Sequence, residues 1–389
     1  MREFDRIDMT EHDFAHLVTM AADTTLYVRP TGFVDGPLED PASAVRLAHG
    51  SVWFTAVQLI ARAATGERLA SVILPVKDRL IWQEKLPKAL ADQFELLWQH
   101  IMQVRPPLEA GSRQLGFGRP QVMGILNVTP DSFSDGGKYS DPAAAVTRAH
   151  ELMKQGATLV DIGAESTRPG AKPVWEGDEI ARLEPVITRL KGSSGWLSAD
   201  TRKAAVMRMA LAAGADLVND VSALTYDPDS LAVVAEAGCP VVLMHLQGDP
   251  QTMQQRPVYQ DVLLDVFDHL RDRVEACVTA GIARAKILVD PGIGFGKSLR
   301  HNLDLLNGLS LFHGLGCPIL LGVSRKTFVG ALSREEPAHE RLPGSLAAAL
   351  RGLDQGVQIL RVHDVAETVQ AVKVWQGLKD AAVTPSVQS

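Results

Sequence analysis

The stretch Gly111-Ser112-Arg113-Gln114-Leu115-Gly116-Phe117-Gly118-Arg119-Pro120 gives way, after Gln121, to Val122-Met123-Gly124-Ile125-Leu126-Asn127-Val128, and this junction decides the fold. A glycine-rich segment ending in proline punctuates the chain and marks a boundary near residue 115. Beyond it, short runs of Val, Ile and Leu alternate with stretches of helical period, the pattern of βα units around a parallel sheet. The runs show no polar-apolar alternation, as expected of strands buried on both faces. Eight strands are expected: Val122–Val128, Leu159–Gly163, Trp196–Ala199, Leu217–Asp220, Val241–His245, Ile287–Asp290, Ile319–Val323 and Gln358–Val362. Eight such strands within about 270 residues predict an α/β fold of the TIM (β/α)8 barrel type.

The helical period predicts helices over Pro142–Gln155, Lys203–Ala213, Tyr259–Ala280, Leu299–Phe312, Ser345–Gln355 and Val365–Leu378. Gly156, Gly214, Gly238, Gly281, Gly316 and Gly356 stand where a helix stops before the next strand, the usual place for a glycine C-cap. Residues 1–115 are expected to form a smaller mixed α/β accessory domain of unknown role, 116–380 the barrel, and 381–389 a flexible tail. Within the first region, Pro87–Met102 reads as a helix with Phe94, Leu97 and Ile101 on one face, and Trp53, Trp82 and Trp98 mark a core. No chemical motif appears there.

The chain has 389 residues, 46% of them hydrophobic, and 39 Lys+Arg against 46 Asp+Glu leave a formal charge of −7. That balance argues against a broad electrostatic hold on nucleic acid or anionic lipid, while leaving room for a local basic pocket. The opening Met1-Arg2-Glu3-Phe4-Asp5 puts acidic residues where a secretory leader needs an apolar core, and no apolar run suffices for a membrane span, so a cytoplasmic protein is expected. Cys239, Cys277 and Cys317 form no C-x-x-C pair and suggest neither a disulfide framework nor a zinc site.

In a TIM barrel the residues at the C-terminal ends of the strands face the active site. Here those ends are rich in polar groups: Asn127 through Gly137, Glu165-Ser166-Thr167-Arg168-Pro169-Gly170, Asp200-Thr201-Arg202, Asn219-Asp220, Asp290 through Lys297, Ser324-Arg325-Lys326-Thr327 and Arg361-Val362-His363-Asp364. Converging Arg, Lys, His and hydroxyl groups suggest a phosphate site. Asp200, Asn219 and Asp290 suit a heterocycle with several N–H donors, such as a pterin, because a carboxylate accepts two parallel hydrogen bonds from an amidine-like edge. Each of the three could instead cap the helix that follows it. The glycines of Gly292–Lys297 have neither the Walker A nor the G-x-G-x-x-G spacing, so nucleotide binding through them is disfavoured. His245 is left open between core packing or a tautomer-specific hydrogen bond on one side and substrate contact on the other.

The blocks Met123 through Gly137, Asp161 through Gly170, Asp290 through Lys297, Ser324-Arg325-Lys326 and Arg361-Val362-His363 together resemble, in order, those of dihydropteroate synthase over about Val122 to Leu378. The resemblance implies a transferase that joins p-aminobenzoate to 6-hydroxymethyl-7,8-dihydropterin pyrophosphate, with Mg²⁺ accompanying the pyrophosphate and a homodimer as the assembly. Carried onto this sequence, it implies that Asn127 is the metal and pyrophosphate ligand, and that Thr167, Arg168, Arg361 and His363 lie on the pyrophosphate side. Asp200, Asn219, Asp290 and Lys326 match the pterin pocket, and Phe295, Lys326, Thr327 and the loops of Phe133 and Pro169 border p-aminobenzoate. Ala164 departs from the family, which commonly has another glycine there. Two other readings are weighed: a pterin-dependent methyltransferase of the same fold, and a non-catalytic pterin-binding paralogue. The Ser324-Arg325-Lys326 and Arg361-x-His363 blocks and the Asn127–Gly137 loop speak against the methyltransferase, and retention of every motif against the paralogue.

Overall fold

The computed structural model describes residues 10–20, 23–129, 141–166, 171, 173–248, 253 and 257–384. The chain divides into two compact units, one of residues 1–104, 310–316 and 379–389, the other of residues 105–309 and 317–378.

The first unit is built on an antiparallel sheet of β1 (Thr25–Val34), β2 (Val45–Arg46), β3 (Trp53–Arg62) and β4 (Arg68–Pro75), with β3 pairing all three others. Helices α1 (Thr10–Val18), α2 (Arg79–Gln83) and α3 (Lys88–Met102) accompany it. Leu90, Phe94 and Ile101 fall on the buried stripe of α3, in keeping with its helical period. Phe94 stacks on Trp98 at 5.8 Å and meets Trp82 edge-on at 4.9 Å, so two of the three tryptophans extend an aromatic core. The Gln93 carboxamide ties α3 to β1, accepting from Leu26 N at 2.9 Å and donating to Thr24 O at 3.0 Å.

The second unit begins with a hairpin, β5 (Leu108–Ala110) and β6 (Arg113–Leu115), and continues into eight parallel strands. These are β7 (Gln121–Asn127), β8 (Leu159–Gly163), β9 (Trp196–Asp200), β10 (Leu217–Asp220), β11 (Val241–Met244), β12 (Ile287–Asp290), β13 (Leu320–Leu321) and β14 (Ile359–Val362). Their order is β12-β11-β10-β9-β8-β7-β14-β13, and a parallel bridge from Val289 to Ile319 brings β12 back to β13. The sheet is thereby a nearly closed TIM-like barrel. The seventh strand keeps only two of its five expected residues in the ladder, because Ile319 turns to that bridge.

Helices α4 (Pro142–Lys154), α5 (Glu176–Leu190), α6 (Ala204–Ala213), α7 (Ser230–Ala237), α8 (Val262–Thr279), α9 (Leu299–Asn307), α10 (Thr327–Leu332), α11 (Leu342–Leu353) and α12 (Val365–Val383) follow the strands. All six glycines expected as C-caps have positive φ. The helix expected over Leu299–Phe312 stops at Asn307, and residues 309–315 form 3₁₀ turns. At Gly308 a Cβ would lie 2.6 Å from the Leu263 side chain, so any other residue there would have to displace that side chain of α8. None of the described helices is long and apolar enough to cross a membrane. Cys239, Cys277 and Cys317 are buried and outside any disulfide.

Along each barrel strand alternate residues point inward. The first inward residues, Met123, Leu159, Trp196, Leu217, Val242, Leu288, Leu320 and Ile359, pack with Leu108 and Leu115 of the hairpin into one buried apolar layer. The hairpin closes the lower end of the barrel, and the side chains two positions further along five of the strands are polar: Asp161, Ser198, Asn219, Asp290 and Arg361.

Candidate active site

The strand register sets the upper wall of the site. Asn127 pairs with Gly163, Gly163 with Asp200 and Asp200 with Asn219, so three expected site residues lie in one row. Gly163 supplies the space, since a Cβ there would approach the Asp200 carboxylate at 3.3 Å.

Arg361 organises the polar layer. Its Nε donates to Asp161 Oδ2 at 2.6 Å and its Nη2 to Asp200 Oδ2 at 2.7 Å. Asp161, fully buried, also accepts from Ser198 Oγ at 2.5 Å and from Asn219 Nδ2 at 2.9 Å. Asp161 was not among the expected site residues, although a carboxylate inside an otherwise apolar strand was the available signal. A guanidinium has five N–H donors, so Arg361 retains donors for an anion beyond the two carboxylates.

Burial and the neighbouring Asp161 carboxylate push Asp200 up to about 7, against the opposing pull of Arg361. Folding therefore favours the protonated form, and ionisation of Asp200 withdraws stability as pH rises from the ordinary carboxylate range to about 7. Asp200→Asn, which keeps the shape without the charge, is expected to gain stability relative to the wild type between about pH 4 and about pH 8, the gain levelling off above the Asp200 value. Denaturant titrations of both proteins across that range check this, and curves that stay parallel with pH overturn it.

Opposite this cluster, Asp290 Oδ1 accepts from Gly292 N at 2.7 Å, which starts the glycine loop. Gly292 has φ 68° and a Cβ there would lie 2.0 Å from His245 O, so no other residue fits. Lys297 secures the same loop from beneath, with Nζ 2.9 Å from His245 Nδ1 and 2.9 Å from Phe295 O. Burial lowers Lys297 to about 7, and burial together with the Lys297 charge lowers His245 to about 2. His245 is thus a neutral acceptor for a buried lysine. Lys326 Nζ lies 4.0 Å above the Phe295 ring, and burial lowers it to about 8 while Asp290 pulls the other way. Thr327 opens α10 and is exposed.

The ends of β13 and β14 are tied side by side. Arg325 pairs with Asp364 through two N–H groups, the Nε contact being 2.9 Å. Its backbone is left-handed, φ 59°, a costly conformation for a side chain. It is held there by Ser345 Oγ accepting from Arg325 N at 2.8 Å and by Arg341 Nη1 donating to Arg325 O at 3.2 Å. His363 Nδ1 lies 3.0 Å from Ser324 Oγ.

A second buried network underlies the ends of β8 and β9. Arg202 donates to Glu165 at 2.7 Å, and Lys203 bridges Glu165 and Glu179, the second contact being 2.6 Å. Glu165 leads into the segment of Thr167 and Arg168, and these two residues, like Phe133 and Pro169, lie outside the described residues. Among the described residues no group of three or more His, Cys, Asp or Glu side chains could hold a metal. The half-buried Asn127 carboxamide has no hydrogen-bond partner among them. It offers a hard oxygen of the kind Mg²⁺ accepts when substrate phosphates and water supply the other ligands.

Residues 123–363 match the family model described as pterin binding enzyme. The dihydropteroate synthase of Escherichia coli K12 is 47% identical over 268 residues, 69% of this chain and 94% of that protein. The Bacillus subtilis strain 168 synthase is 43% identical over 258 residues, 66% and 88% of the two chains. Among solved structures, Yersinia pestis dihydropteroate synthase in a sulfonamide drug complex is similar with a TM-score of 0.67 and 48% identity, covering 70% of this chain and 99% of that one. The Xanthomonas albilineans synthase in complex with 7,8-dihydropteroate gives 0.65 and 45%, with the same coverages. The family model does not reach the antiparallel sheet of the first unit. With its polar layer set above a plugged (β/α)8 barrel, the chain belongs to the dihydropteroate synthase family of pterin-binding transferases.

Proposed function

We propose that the chain condenses 6-hydroxymethyl-7,8-dihydropterin pyrophosphate with p-aminobenzoate, giving 7,8-dihydropteroate and pyrophosphate for folate biosynthesis. The observation that carries this reading is the Asp161–Arg361–Asp200 bridge beside Asn219 and Asp290. It combines carboxylate acceptors for a pterin with a cation that still has donors to offer a phosphate. Related synthases are solved with p-aminobenzoate, 7,8-dihydropteroate and a sulfonamide drug bound, and the same classes of ligand are proposed here.

Loss of pyrophosphate from the methylene leaves positive charge delocalised into the electron-rich dihydropterin, while negative charge grows on the leaving group. Asp200 and Asp290, the carboxylates lining the pterin pocket, stabilise the first. Arg361 and His363, with Thr167 and Arg168, take up the second as hydrogen-bond donors. Lys326, above the Phe295 ring, bounds the space between pterin and p-aminobenzoate, and the exposed Thr327 borders p-aminobenzoate. The arylamine is itself nucleophilic, so no residue is needed to deprotonate a hydroxyl or thiol. Mg²⁺ held through Asn127 would supply further charge neutralisation of the pyrophosphate.

The proposed setting is a cytoplasmic homodimer acting on small molecules, with residues 116–380 carrying the reaction and residues 1–115 accessory to it. Purified protein supplied with the pterin pyrophosphate, Mg²⁺ and p-aminobenzoate is expected to form dihydropteroate with one pyrophosphate released per product. Absence of product under conditions in which a known synthase turns over would overturn the assignment.

A further inference from the structure

Ser324 has a single proton to give, and its surroundings decide where that proton goes. The residue is buried, and its Oγ lies 3.2 Å from the backbone N of His363 and 3.0 Å from Nδ1 of the same residue. The backbone N–H donates to Oγ, because it has no other role. Were the ring proton on Nδ1, Oγ would receive two N–H groups while its own proton pointed at no acceptor among the described residues, an unfavourable state for a buried hydroxyl. With the hydroxyl donating to Nδ1, the Ser324 hydroxyl, Nδ1 and the backbone N–H of His363 are all satisfied, and the ring proton lies on Nε2.

The charges around the ring keep it neutral. Burial, followed by the Arg325 and Arg361 charges, lowers His363 to about 3, and Asp364, the nearest carboxylate, is committed to Arg325.

We propose that Ser324 is a positioning residue that fixes His363 as the Nε2–H tautomer, so that the ring presents a donor to the leaving anion. An Nδ1–H ring would instead present a lone pair to that anion and repel it. The Arg325–Asp364 pair acts with Ser324 by holding the ends of β13 and β14 together. Only the identity of the anion rests on the synthase assignment. The tautomer follows from the hydrogen-bond geometry.

Nitrogen-15 spectra of histidine-labelled protein at neutral pH, with the His363 signals assigned through His363→Asn, read the tautomer directly. The expected spectrum has protonated Nε2 and unprotonated Nδ1. Ser324→Ala is expected to give a mixture of tautomers and to lower kcat about tenfold with little change in KM for p-aminobenzoate, and Ser324→Thr to restore both. A wild-type ring protonated on Nδ1 overturns the proposal, as does an Ala variant with an unchanged tautomer. Failure of the protein to make dihydropteroate would leave the spectral result standing, so the two assignments can fail separately.

Discussion

Arg361→Ala lowers kcat/KM for dihydropteroate formation by about a thousandfold, the scale expected when a charge-stabilising donor is removed from a partly buried site. Two effects of the same deletion combine. The leaving pyrophosphate loses a guanidinium, and Asp161 and Asp200 lose the cation between them. Most of the fall is expected in kcat, because the anion's charge grows towards the transition state. Arg361→Lys recovers little, since one ammonium does not reproduce the separate Nε and Nη2 contacts made to two carboxylates. Steady-state kinetics with pyrophosphate release as the readout checks this, and a loss below tenfold for the alanine variant removes Arg361 from the catalytic role.

Lys203→Met destabilises the fold by about 3–5 kcal/mol, the usual consequence of removing one partner of a buried ion pair. The site is suitably severe: Glu179 is fully buried and Glu165 nearly so, and Arg202 compensates only Glu165. Lys203→Met together with Glu179→Gln recovers part of the loss, because the second change removes the stranded charge. Denaturant unfolding of the wild type and the two variants measures both effects. A single-variant loss under about 1 kcal/mol shows the network to be better hydrated than its burial implies.

The fold was legible because βα units repeat their punctuation. Leu159–Gly163, Leu217–Asp220 and Ile287–Asp290 are strands with the expected bounds, since each apolar run ends abruptly in a polar turn. Local pattern fails where tertiary contacts intervene. Leu299–Phe312 has an unbroken helical period, yet α9 stops at Asn307 and gives way to 3₁₀ turns where Gly308 lies against Leu263. Glu176–Leu190 has Pro185 inside, a breaker in sequence terms, and still forms α5.

The site divides the same way. Residues at strand ends, such as Asn219 and Asp290, are found by the barrel rule alone. Asp161 is not, because its significance depends on Arg361, 200 positions later, reaching back across the closed sheet. Lys203 and Lys297 escape for a related reason: the first follows Asp200-Thr201-Arg202 and the second closes the glycine block, but only folding shows that the charge of each is spent on Glu179 or on His245.

The hairpin seated under Met123, Leu159 and Trp196 makes the barrel a blind-ended vessel. Anything that reaches the Asp161 layer has come past the strand C-termini and must leave by the same mouth. Occupancy is therefore stacked: the molecule lying deepest is first in and last out, and a second molecule settling above it acts as its stopper. A bond formed between the two turns the stack into a single piece that is withdrawn whole, outer end leading.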